Sequence, residues 1–102
     1  MPKAYWIARV DITDPDAYKE YLARNSVAFA KYGARFIVRG GPFETVRGEA
    51  RQRNIVIEFA DLATARACAE SPEYAEAALW RDKGAIVDLI LIEGYDGVQP
   101  GA

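Results

Sequence analysis

No histidine occurs among these 102 residues and cysteine occurs once, so few side chains can do acid-base or nucleophilic work. A Ser-His-Asp triad, a His-ligated haem and an ordinary zinc site are excluded. What remains is carboxylate, phenol, lysine and the thiol of Cys68. Glu58 and Asp88 are the candidate catalytic bases. Each interrupts an apolar run, where desolvation would raise a carboxyl pKa and make it a usable base. Arg39 shares the parity of Ile37, and a guanidinium there would hold a substrate carboxylate by paired hydrogen bonds. Arg9 and Glu58 are placed to pair across neighbouring strands. The structural alternative is that these charges form a balanced network holding two subunits in register, since half-buried charges are costly unless paired.

A second group of candidates lies on helical spacing. Tyr18, Tyr21, Leu22, Asn25, Ala28, Phe29 and Tyr32 form one stripe, and Asn25 is a polar interruption of it. Tyr18 and Asn25 would orient a ligand in a cleft between helix and sheet. The alternative is core packing with hydroxyls reaching the rim. Tyr74 and Arg81 belong to a later helix and are the remaining ligand-binding candidates, with Arg81 either guarding a pocket mouth or capping a carbonyl. Ser71 reads as a helix cap, and Cys68 as a small buried hydrophobe without an activating base. No motif for a metal or an organic cofactor is present, and none is expected.

The elements that must position these residues follow from pattern. Residues 4–12 alternate as a strand. Thr13-Asp14-Pro15-Asp16 is a helix start, and Gly33 is the left-handed stop of a helix running to about Tyr32. Residues 34–39 form a second strand, and Gly40-Gly41-Pro42 marks a bulge or bend. Residues 43–47 continue that strand to a hairpin turn at Gly48-Glu49. Residues 53–59 form the third strand. Asp61 caps a short alanine-rich helix, and Ser71-Pro72-Glu73 restarts it as far as Gly84. Residues 86–93 form the fourth strand. Residues 1–94 are one domain and 95–102 a Gly- and Pro-containing tail. The order β-α-β-β-α-β predicts a ferredoxin-like α+β fold, with a four-stranded antiparallel sheet in order 4-1-3-2 and two helices on one face.

Trp6, Val10, Phe36, Val38, Ile55, Ile57 and Phe59 are assigned to the helix-covered face. Tyr5, Ile7, Ile37, Val56 and part of the last strand are assigned to the other. Two helices cover one face only, so the second apolar face predicts a homodimer.

Thirteen basic residues against fifteen acidic ones give a net charge of −2. With no basic stripe, a nucleic-acid partner is not expected. No apolar run is long enough for a membrane span, and residues 1–12 lack the core of a signal peptide. A lone cysteine leaves no internal disulfide, and the expected location is cytoplasmic.

Read together, AYWIARVDITDPDAYKEY, KYGARFIVRGG, NIVIEF, SPEY and DLILIEG resemble the family called domain of unknown function 1330, over nearly the whole chain to about Gly94. That family resembles the dimeric α+β barrel superfamily, whose members include cofactor-less monooxygenases, lactone isomerases, haem-dependent peroxidases and stress-induced barrels. The resemblance implies two ferredoxin-like sheets facing each other. It implies a small, partly apolar metabolite bound between sheet and helices, with a cofactor-less isomerase or monooxygenase as the reaction class. The alternative is a non-catalytic structural or ligand-binding homodimer. Arg81 matches an arginine of the family pattern. Cys68-Ala69 replaces an aromatic pair of that pattern, which implies a wider or differently filled pocket.

Overall fold

Asp14 starts the first helix: its carboxylate accepts from the backbone N–H groups of Asp16 and Ala17, and Pro15 occupies the first turn. That helix is the second element in the order β1 (Ala4–Ile12), α1 (Pro15–Lys31), β2 (Arg35–Arg39), β3 (Arg53–Phe59), α2 (Leu62–Ala69), α3 (Pro72–Gly84), β4 (Ala85–Glu93). The computed structural model describes residues 2–101. Gly33, at φ +67°, turns the chain out of α1. Asp61 caps α2 through the Thr64 N–H. Ser71 Oγ accepts from the Tyr74 N–H at 3.1 Å and donates to the Cys68 carbonyl at 2.7 Å. One hydroxyl thus ends α2 and starts α3, and the expected second helix is two, giving three helices among the described residues.

The antiparallel sheet has the order β2-β3-β1-β4, the expected order read from the other edge. Trp6 lies opposite Ile57 on one side and Leu91 on the other. It is the centre of the core. The Phe29 ring meets it edge-on at 5.3 Å, the Tyr74 ring edge-on at 4.8 Å, and Phe59 stacks at 6.1 Å. The carbonyl of Gly84 accepts from the N–H groups of Thr13 and Asp14. A Cβ on Gly84 would stand 2.5 Å from the Tyr18 nitrogen, so its role is close docking of α3 on the start of α1.

Two expectations are corrected. Residues 41–52 form neither a continuation of β2 nor a tight hairpin. Pro42 lacks a ladder donor, β2 is the sheet edge, and 43–47 has no partner strand. The return of this loop is pinned instead: Arg51 pairs with Asp11 at 2.7 Å and with Asp88 at 2.9 Å. The second correction is a bulge at Ile37. Phe36 pairs with Ile57, but Val38 pairs with Val56 and Arg39 with Ile55. One extra residue reverses the phase of everything after it. Val38 therefore lies on the helix-free face, and Arg39 turns to the helix-covered face.

Candidate functional site

The reversed phase brings Arg39 into a cleft between α1 and the sheet, of about 460 Å³ counted out to its open mouth. The enclosed space within it is small, room for about one water molecule. Its floor comes from alternate residues of all four strands, including Trp6, Phe36, Ile55 and Leu89, and its roof from the inward stripe of α1. The polar groups lining it are Tyr18, Tyr21, Asn25, Arg39, Arg53 and Tyr74. None of the lining side chains is acidic.

Tyr18 is 3% exposed, yet its hydroxyl has no hydrogen-bond partner. Burial pushes its pKa up, partly offset by the nearby Arg53 guanidinium. Arg53 Nε is likewise buried without a partner. The Arg53 guanidinium lies against Gly40, where a Cβ would approach it to 2.9 Å. Gly40 has φ +69°, so backbone conformation and space both favour glycine there. The Arg39 guanidinium lies 4.1 Å from the centre of the Phe36 ring. Neither arginine has a carboxylate partner among the described residues.

Deeper in, the Tyr21 and Tyr74 hydroxyls are 2.8 Å apart. Arg81 lies behind the cleft wall and donates from Nη1 to the Tyr74 oxygen at 3.2 Å. Burial raises the Tyr21 pKa well above its ordinary value, and the Tyr74 contact adds to the effect. Burial also raises that of Tyr74, against the opposing pull of Tyr21 and Arg81. Both phenols are therefore protonated at neutral pH, and one of them donates to the other. Asn25 is buried beside Tyr21.

Of the ligand-binding candidates, Tyr18, Asn25, Arg39 and Tyr74 line this one cleft, and Arg81 contacts it through Tyr74. The catalytic candidates do not join them. Glu58 is on the opposite face of the sheet, bonded to Lys3 at 3.0 Å, with Arg35 at 3.8 Å and the Tyr5 hydroxyl at 3.5 Å. Asp88 is on that face too, held by Arg51 and lying 3.8 Å from Arg9. The expected Arg9–Glu58 pair does not form, because Arg9 faces Asn54 and Asp88 in register. Cys68 is fully buried and does not line the cleft. Burial, with the Glu73 charge, pushes its thiol up to about 11. Arg53 is a functional candidate not singled out from the sequence, although its alternation with Ile55 and Ile57 places it on the helix-covered face.

The helix-free face carries Ile37, Val38, Ile86, Ile90 and Ile92, each 40–55% exposed. No helix is long and apolar enough to cross a membrane, and no group of metal-ligating side chains occurs among the described residues.

The family model described as "Domain of unknown function (DUF1330)" matches residues 3–95. No curated protein matches the chain. Among solved structures, the chain is similar to a protein of unknown function from Rhodopseudomonas palustris, with TM-score 0.78, 16% identity and 94% and 85% of the two chains covered. It is also similar to SnoaB, a cofactor-independent oxygenase from Streptomyces nogalater, with TM-score 0.62, 14% identity and 98% and 99% covered. A dimeric protein of unknown function and ferredoxin-like fold from Bacteroides fragilis aligns with TM-score 0.50, 16% identity and 90% and 96% covered. At these identities the likeness is one of fold.

Proposed function

This chain belongs to the DUF1330 family, and on that premise we propose that it is a homodimeric protein binding a small, partly apolar metabolite in the cleft between α1 and the sheet. The observation that carries this reading is the Tyr18 hydroxyl, buried on the wall of the cleft near Arg53 and in no hydrogen bond among the described residues. An unpaired buried hydroxyl costs about 1–3 kcal/mol, and a polar atom of a ligand would recover it. The cleft offers donors and no carboxylate. It is suited to hold and polarise an oxygen atom on the ligand, and any acid-base step would draw on the ligand's own acidity. This fits a cofactor-less isomerase or oxygenase acting on a substrate that is itself electron-rich, and one protein of similar fold is a cofactor-independent oxygenase. The assignment of reaction rests on fold analogy.

The dimer half of the proposal rests on the five half-exposed aliphatic side chains of the helix-free face. Glu58, Asp88 and their basic partners lie on that same face, and this favours a structural role for them: setting the register of two facing sheets. Native mass spectrometry of protein purified without organic additives tests both halves. The expected species has twice the chain mass and carries a small molecule that is released on unfolding. A bare dimer whose cleft resonances respond to no aromatic fragment in NMR would leave the non-catalytic structural homodimer. A bare monomer would remove the dimer.

A further inference from the structure

We infer that the cleft takes a planar aromatic or conjugated carboxylate, its acid group seated between Arg39 and Arg53 and its apolar body against the floor beyond. This rests on the cleft reading above and names the class of ligand. Three observations carry it. The first is charge. Both arginines line one cleft, no acidic side chain lines it, and neither guanidinium is neutralised by a carboxylate among the described residues. Most other cations of the sheet face and of the helices have partners: Lys3, Arg9, Arg24, Lys31, Arg35, Arg51 and Arg81 all lie within ion-pair distance of a carboxylate. Two unpaired guanidinium groups sharing an apolar wall favour an anion at that wall.

The second observation is orphaned donors. Tyr18 Oη and Arg53 Nε are both buried without acceptors. A carboxylate supplies two acceptor oxygens with about four lone-pair sites, enough to serve both arginines and the Tyr18 hydroxyl together. The third is the lining: the floor is mostly apolar and includes the rings of Trp6 and Phe36, against which an aromatic or conjugated body packs. The local fold also holds Arg53 in place, since its guanidinium rests on Gly40 where no side chain larger than hydrogen fits without displacing it. The bulge at Ile37 then supplies the second arginine; a regular strand would aim Arg39 at the opposite face.

The test uses benzoate and benzamide, a flat acid and its neutral isostere, titrated into the full-length protein and followed by amide NMR shifts of cleft residues. Benzoate should bind at least about tenfold more tightly than benzamide, the ratio expected of charge-assisted hydrogen bonds. Arg53→Met and, separately, Arg39→Met should each erase most of that preference, weakening benzoate binding far more than benzamide binding. Arg39 is exposed, so its variant keeps the test valid if Arg53→Met does not fold. Equal binding of the two probes in the native protein would overturn the carboxylate assignment and leave the cleft reading standing. Undiminished preference for benzoate in both variants would also overturn it, because the acid would then lie elsewhere. Absence of any cleft shift with either probe would overturn the cleft reading, and this inference with it.

Discussion

The hydroxyl of Tyr21 and the hydroxyl of Tyr74 form a buried hydrogen bond of 2.8 Å that joins α1 to α3 behind the cleft. Arg81 donates to the Tyr74 oxygen, so that oxygen is engaged on two sides. Removing Tyr74 takes away the Tyr21 hydroxyl's partner, and removing Tyr21 leaves the Tyr74 oxygen bonded to Arg81 alone. Tyr74→Phe and Tyr21→Phe should each destabilise the fold by about 1–3 kcal/mol in urea unfolding. The double variant should cost clearly less than the sum, because the bond between the two is already lost in either single variant. Additive losses would show that the two phenols act independently.

Alkali should weaken the fold through the same region. Burial raises the folded-state pKa values of Tyr18, Tyr21 and Tyr74, and places that of Cys68 at about 11 against an ordinary 9.0. The folded chain thus keeps these protons at pH values where the unfolded chain has released them. The stabilisation is complete below the unfolded values and is lost as pH rises through the folded ones. The urea midpoint should fall steadily from about pH 9 upward. Cys68→Ala should reduce that slope, and the native thiol should resist a disulfide reagent until the protein unfolds. A midpoint unchanged to about pH 10.5 would contradict this account.

Gly84 sets how closely α3 approaches the start of α1. Its Cβ in Gly84→Ala would meet backbone atoms: the Tyr18 nitrogen at 2.5 Å and the Ala17 carbonyl carbon and Asp14 oxygen at 3.0 Å. Backbone cannot swing aside as a long side chain does, so the helices must part. A loss of about 1–3 kcal/mol is expected, the range of overpacked cores. Because Tyr18 is carried on the displaced turn, the cleft resonances should shift as well. Gly33→Ala has open space around its Cβ but a φ of +67°, and should cost about 1 kcal/mol through conformation alone.

Much of this arrangement is legible in the chain, and the reason is period. Strand residues 53–59 and the stripe from Tyr18 to Phe29 are long enough for alternation and helical spacing to specify one face each. Local cap chemistry at Asp14, Asp61 and Ser71 reads directly as helix starts. What escapes is anything decided between elements. The bulge at Ile37 depends on how β2 meets β3, and a five-residue strand contains too few alternations to reveal a phase change. Parity placed Arg39 beside Glu58, and the bulge takes it to the face that carries Tyr18 and the cleft. Arg53 shares the parity of Ile55 and Ile57, yet a charge at a strand end reads as solvated until a roof is placed over it. The Tyr21–Tyr74 bond joins residues 53 apart in sequence, a contact that no local pattern encodes.

The helix-free face should be the dimer interface, and Ile90 is its most useful probe. It is 55% exposed, lies on β4 directly opposite Ile7 of β1, and has Ile86 and Ile92 on the same face. A charge at that position adds little cost in an isolated protomer, where the side chain already meets water. In a dimer built on this face, Ile90→Glu would bury an unpaired carboxylate, a penalty of several kcal/mol. Analytical ultracentrifugation should therefore give a dimer for the native chain and a monomer for Ile90→Glu, with the far-ultraviolet circular dichroism unchanged. Glu58→Gln should loosen the dimer less, because Lys3 and Arg35 reach that carboxylate within one protomer. A native monomer, or a variant that dimerises as tightly as the native chain, would move the interface off this face and return Glu58 and Asp88 to the surface as ordinary solvated ion pairs.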